Sequence, residues 1–519
     1  VSAPRSRFAG ADTVLGRPAV RTAAYGAAFF AVVVGAVLAR FWALSTQPIG
    51  LFPDEAAEGV SAQRILNEPG YHPIFIDDDG GREALFAYIV ALGFRLFGPS
   101  VVTLRGTAAL LGVFGVVAIW LAVRRFGRSP ALLAMAWAAG SLWLICVSRD
   151  GMRNVLTIAA GALALAALLR WGDKGTRLAA GLAGVAVGAG LWTYQPLKFT
   201  PLLVIAWLLW MRSADRERWL RIRSTLPWAA GAYLAVAAPM IWTAIIDPSN
   251  YFGRGASVLV FNPGVGSTES YPLHVLRTFG MFLVTGDPNP RQDAGALPLL
   301  GPLLFIPFAL GVWRAWRNRR DHRYALLLIG LAVFSIPPLI SSEGDSPHFL
   351  RALGLAPYVA AFVGVGFVEL VGFARRVART QAATPSRLAP VAAAVASAAA
   401  LAGLGAASTV LYVNRPAADM YTAFSVADVQ LATAAAARGP GSVAIVDAYN
   451  ALDIRFLDAG NLPTMLEPNQ RLINPAVYSL IVAPSRSLIA AATDDATAAR
   501  ATAASVDPQG NPVVFVVVP

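Results

Sequence analysis

The chain of 519 residues holds one cysteine and four histidines, and only 14% of it is charged, against about a quarter in an ordinary soluble domain. A single cysteine, Cys146, excludes an intrachain disulfide and a cysteine metal cluster. There is no P-loop, no G-x-S-x-G elbow and no H-E-x-x-H, so nucleotide-driven transport and the common hydrolase mechanisms have no motif to rest on. No internal repeat is visible, and the only compositional bias is toward alanine.

What the chain does have is apolar length. Mean hydropathy is +0.57, and stretches near or above spanning length recur over 23–412, punctuated by short arginine clusters. The net charge of +12 resides in those clusters and forms no stripe with interleaved aromatics, which argues against a nucleic-acid partner. The first stretch, 23–44, follows Arg5, Arg7, Arg17 and Arg21 like a signal peptide. Its length exceeds a signal core of about ten residues, so it is expected to remain as an anchor.

With the basic clusters placed in the cytoplasm, the stretches pair off between them. The exception is 84–97, which is short, contains Arg95 and reads as an amphipathic helix on the extracytoplasmic interface, with Arg82 and Arg95 near head groups. The expectation is an all-α polytopic bundle of about eleven spans. They fall near 23–44, 104–123, 130–147, 152–170, 178–194, 199–211, 226–246, 297–313, 324–341, 350–370 and 389–412. The N-terminus is then cytoplasmic and the protein a multi-pass plasma-membrane protein. Residues 1–412 form the membrane domain, with 45–103 as an outward first loop, and 413–519 form a small extracytoplasmic α/β domain. In that tail a helix over 422–438 precedes strands at 443–446, 480–482 and 513–518.

Chemistry-bearing residues gather on the outward side. Asp54 and Glu55 follow the first span, with Glu58 one turn on; carboxylates beside a low-dielectric wall suit a general base. The same Pro53-Asp54-Glu55 run also fits the start of a surface helix. Asp77, Asp78 and Asp79 can donate oxygens to a hard divalent cation together with Asp54 or Glu55, or form a solvated loop, since the spacing is not that of a calcium loop. Arg105, Arg149, Arg153, Lys198 and Arg351 fall at outward span ends, against the positive-inside bias. Two readings stay open for them: ion pairs between helices, with Asp150 or Glu343 as partners, or a clamp on a lipid phosphate. His348, in Ser346-Pro347-His348-Phe349-Leu350-Arg351, reads as a supporting phosphate contact.

An acidic pair after the first span, an interfacial helix and Arg105 opening the second span resemble the GT-C superfamily of integral membrane glycosyltransferases. Within it the likeness is to bacterial relatives of the protein O-mannosyltransferases and the lipid A aminoarabinose transferase. It rests on Asp54-Glu55, on Gly81-Arg82-Glu83-Ala84-Leu85 through Phe97-Gly98, on Leu104-Arg105 and on Ser148-Arg149-Asp150-Gly151-Met152-Arg153. The resemblance implies that Asp54 acts on the acceptor nucleophile with Glu55 beside it, and that Arg82 contacts the donor phosphate. Many relatives carry Lys-Pro-Pro or His-Pro-Pro where this chain has Arg82-Glu83-Ala84. The expected activity is glycosyl transfer from a polyprenyl-phosphate sugar to an extracytoplasmic protein, glycan or lipid, inverting because one base serves a single displacement, with no required cofactor. The competing readings are a transporter or flippase of a lipid-linked or anionic substrate and a noncatalytic scaffold.

Overall fold

The computed structural model describes residues 18–77, 81–262, 269–341, 344–381, 388–436, 443–446, 451–457, 464–466, 470–472 and 474–519. It begins with α1 (Pro18–Phe41), α2 (Pro53–Asn67), a hairpin of β1 (Phe75–Ile76) and β2 (Arg82–Glu83), and α3 (Leu85–Phe97). The bundle continues through α4 (Val101–Val123), α5 (Arg128–Gly140), α6 (Leu142–Arg149), α7 (Leu156–Lys174), α8 (Arg177–Gly190), α9 (Thr200–Ala214) and α10 (Leu226–Ile246). It closes with α11 (Gly301–Arg317), α12 (His322–Phe334), α13 (Ala356–Gln381) and α14 (Leu388–Val413). Caps mark several starts: Ser100 Oγ accepts from Thr103 N at 3.1 Å, and Asp321 Oδ1 from Arg323 N at 2.9 Å.

Among the described residues, eight helices are long and apolar enough to cross a membrane, and α5 with α6, bent by 58°, makes a ninth. The remaining two expected spans fall on α8 and α11, of 14 and 17 residues. Both are shorter than the roughly 20 residues of a full span. Outward-facing side chains such as Phe30, Leu110 and Leu303 are 68%, 64% and 84% exposed, which suits a lipid surround. Inside, helices approach closely: a Cβ on Gly311 of α11 would strike the Phe362 carbonyl of α13.

The α5–α6 break interrupts the helical ladder, and Arg40 fills the gap. Its guanidinium, fully buried, donates to the carbonyls of Ala139 at 3.0 Å and Ala138 at 3.2 Å. At the other end of the bundle Asp173 binds Arg125 at 3.3 Å, His322 at 3.1 Å and Arg323 at 2.9 Å. Three of the arginine-rich loops therefore share one face, as their common sign requires.

The stretch 84–97 contains α3, a helix of 13 residues. It buries Phe86, Ala87, Val90, Ala91 and Phe94 and exposes Leu92, Leu96 and Phe97. Arg95 is exposed as expected, whereas Arg82 is 1% exposed and turned into the protein.

After α14 come α15 (Ala417–Ala423) and α16 (Val426–Ala436), then β3 (Val443–Val446), α17 (Ala451–Leu457), β4 (Thr464–Leu466), β5 (Leu480–Ala483), β6 (Thr502–Val506) and β7 (Pro512–Val517). The sheet order is β4-β3-β5-β7-β6, with β3, β4 and β5 parallel and β7 antiparallel to both neighbours. Sequence patterning finds three of these strands. It misses β4, which is only three residues long, and β6, whose side chains are almost all exposed and give no apolar signal.

Candidate active site

The site is built around the first turns of α2. Pro53 opens the helix, and Glu55 reaches back to accept from Phe52 N at 3.2 Å. Successive helical side chains diverge by about 100°, so the two adjacent carboxylates part company. Glu55 is buried and accepts from Arg105 Nε at 2.9 Å, Arg105 Nη2 at 2.7 Å and Gly151 N at 2.6 Å. Burial alone would raise its pKa, but Arg105 and the two amides outweigh that and hold it below the usual carboxylate range. Glu55 is thus a structural anion and does not stand beside Asp54 in the site. Asp54 is half-buried on another side of the helix.

The basic residues divide into two sets. Arg105 and Arg149 serve the chain itself. Arg105 donates to Pro48 O at 2.7 Å and Gly50 O at 2.9 Å besides Glu55. Arg149 donates to Ala39 O at 3.2 Å, Arg40 O at 3.0 Å and Gln47 O at 3.1 Å, with its guanidinium 4.5 Å from the Tyr412 ring centroid. Together they tie down the C-terminus of α1 and the turn after it. Contrary to the expectation of phosphate contacts, the hydrogen bonds of both go to protein acceptors, while Arg149 Nε is buried with no hydrogen-bond partner among the described residues. Asp150, offered as their ion partner, is buried with neither oxygen hydrogen-bonded.

Arg82, Arg153, Lys198 and Arg351 form the second set, carried by β2, the turn before α7, the turn before α9 and the turn before α13. Arg82 Nη2 donates to Ala57 O at 3.0 Å and Ser61 Oγ at 2.7 Å, both on α2. Arg153 bridges Glu58 and Glu83, each at 3.3 Å, and Lys198 meets the other Glu83 oxygen at 3.1 Å. Arg351 donates to Tyr194 Oη at 2.9 Å, and the Arg153 and Arg351 guanidinium groups each lie 5.7 Å from the Tyr194 ring centroid. Arg153 and Lys198 thus share Glu83, Arg153 and Arg82 act on Glu58, and Arg351 joins the group through Tyr194. Asp54 lies within electrostatic reach of Arg153 and Glu58. Burial raises the Glu58 pKa and the Asp54 charge adds to it, against Arg82 and Arg153.

His348 is buried in the turn that presents Arg351. Asp77 Oδ1 accepts from Asn250 Nδ2 at 2.7 Å, while Asp78, Asp79 and Glu343 lie outside the described residues. Among the described residues no group of three His, Cys, Asp or Glu side chains is placed to hold a metal ion. A cavity of about 570 Å³ opens beside Phe52, lined also by Asp287, Arg291, Asp345 and Asp419.

A family of dolichyl-phosphate-mannose-protein mannosyltransferases matches residues 83–242, a segment that carries Glu83, Arg153 and Lys198. No curated protein sequence matches the chain. Two crystal structures of ArnT from Cupriavidus metallidurans, one bound to undecaprenyl phosphate and one apo, match it with a TM-score of 0.58 each. Identities are 15% and 14%, over 96% of this chain and 98% of theirs. The chain has the fold of those two structures. A looser likeness, at a TM-score of 0.35 and 17% identity, joins 48% of this chain to 37% of a chain in the S. cerevisiae Pmt1-Pmt2 O-mannosyltransferase complex bound to the sugar donor.

The sequence alone does not single out Glu83, Ser61 and Tyr194 as partners of the cationic set. Glu83 carried a usable signal, being an acidic residue next to Arg82 at the head of an apolar helix. Ser61 and Tyr194 are polar residues of ordinary loop and helix type, and only the packing of α2 against the later turns singles them out.

Proposed function

We propose that this chain transfers a glycosyl group from a polyprenyl-phosphate-linked sugar to an acceptor hydroxyl on the extracytoplasmic side of the membrane, with inversion at the anomeric carbon. The observation that carries this reading is that Asp54 and the cations of Arg153, Arg82, Lys198 and Arg351 act on one region beside α2. That region is at the opposite end of the bundle from the Asp173 loops, whose positive charge supports a cytoplasmic placement for them.

In the reaction the acceptor oxygen attacks the anomeric carbon and its proton passes to the Asp54 carboxylate. The bond from that carbon to the phosphate oxygen breaks, and polyprenyl phosphate leaves with the electron pair. Guanidinium groups and the Lys198 ammonium meet the charge that grows on the phosphate, and a base of this kind contributes about 10²–10⁴-fold. ArnT of the same fold binds undecaprenyl phosphate, which supports a lipid phosphate as the anion. The cavity beside Phe52 gives an acceptor a route to the start of α2.

The test is complementation of a deletion strain, read by mass analysis of envelope glycans and glycoproteins. Wild type restores the missing product. Asp54→Asn is expected to restore none while the purified variant still binds undecaprenyl phosphate with wild-type affinity; full restoration by Asp54→Asn removes the base assignment. Retention of the donor's anomeric configuration, seen by NMR of the product, overturns inversion.

A further inference from the structure

The C-terminal domain packs its helix α17 directly on α2. A Cβ on Gly59 would strike the Phe456 ring, Gln63 Nε2 donates to Phe456 O at 3.5 Å, and the Phe456 and Phe94 rings stack with centroids 5.9 Å apart. Phe456 thereby joins the core of the membrane domain.

One turn before Phe456 on the same helix, Asp453 is 0% exposed, and neither of its carboxyl oxygens has a hydrogen-bond partner. The charges that act on it are those of Asp428, Glu55 and Asp54. A buried carboxyl left without a partner is destabilising, and in native structures such groups call for a reason. With burial as the main cause, its pKa is pushed up to about 9. The group is therefore a neutral acid that can both donate and accept a hydrogen bond.

We propose that Asp453 is the acceptor-binding residue of the C-terminal domain, hydrogen-bonding a second hydroxyl of the acceptor while Asp54 takes the nucleophilic one. This rests on the glycosyl-transfer reading above. It names the acceptor class as a sugar, in a glycan or glycolipid, because a serine or threonine side chain offers a single hydroxyl. A neutral carboxyl suits such a ligand, since it gives one hydrogen bond and takes others, as a sugar hydroxyl does. With no exposed surface on Asp453, the acceptor reaches it only as α17 parts from α2, and the domain then closes over the reacting groups.

The experiment complements the deletion strain with Asp453→Leu, Asp453→Asn and Asp54→Asn, with product measured by mass analysis of envelope glycans and glycoproteins. Purified variants are compared for undecaprenyl phosphate affinity and for hydrogen exchange over 53–67 and 451–457. Asp453→Leu is expected to lower product about tenfold or more, with affinity and exchange unchanged, and Asp453→Asn to recover most of it. Wild-type product from Asp453→Leu overturns the proposal. So does product loss accompanied by faster exchange in 53–67, which makes Asp453 a docking residue only. A missing product that proves to be a serine- or threonine-linked glycopeptide overturns the sugar acceptor while leaving the transferase reading intact; product from Asp54→Asn fells the base assignment of that reading instead.

Discussion

Glu55 and Arg105, fifty positions apart in sequence, meet through two parallel hydrogen bonds of 2.9 and 2.7 Å, with side chains 0% and 3% exposed. This ion pair fastens the N-terminus of α2 to α4 and so sets where Asp54 stands. Removing one partner strands a charge in a low-dielectric interior. Glu55→Gln and Arg105→Met are each expected to cost about 3–5 kcal/mol, and the double replacement less than the sum. Thermal unfolding in detergent measures this, and single variants as stable as wild type dismiss the pair as a structural fastener.

Arg153 tests the cationic set. Its planar fork spans Glu58 and Glu83, and a lysine keeps the charge but not the fork. Arg153→Lys and Lys198→Met are each expected to weaken undecaprenyl phosphate binding about tenfold or more, while Arg95→Ala, on the exposed side of α3, leaves it unchanged. Equal affinities across the three variants detach the cluster from phosphate binding.

The loop that lines the outer cavity should respond to pH. Burial raises the pKa of Asp287 to about 7 and that of Asp293 to about 8, Asp287 adding to the latter. Unfolded, both titrate near 3.9. Between these values the folded protein holds more protons than the unfolded chain, so stability is fully present below about pH 4 and declines as pH climbs through 7 and 8. A melting temperature followed from pH 5 to 9 should fall for wild type and fall less for Asp293→Asn; a rise with pH has the wrong sign.

Gly59 lets the C-terminal domain dock. Gly59→Val drives its added carbons into the Phe456 ring, an overpacking expected to cost about 1–3 kcal/mol and to speed hydrogen exchange in 451–457. Unchanged exchange there separates the docking from this glycine.

Apolar length made the bundle legible, because lipid demands long uninterrupted helices whatever their packing. The helix α3 was visible for the related reason that 84–97 is apolar yet too short to cross. The site was harder. Asp54 and Glu55 are neighbours in sequence with opposite fates, and only the rotation of α2 relative to Arg105 decides which one is buried. Likewise Arg149 and Arg153 are both arginines at outward span ends, yet one faces backbone carbonyls and the other faces glutamates and a tyrosine. Asp453 was silent because the helix that buries it, with Glu55 and Asp54, lies some four hundred positions upstream, and no local pattern encodes such a packing.

The three-way clasp at Asp173 has a mechanical consequence. With Arg125, His322 and Arg323 all fastened to one carboxylate, the helices they belong to are pinned at one tip. Relative displacement of those helices is therefore restrained most at that tip and least at the far end, where Asp54 and the second set of cations stand.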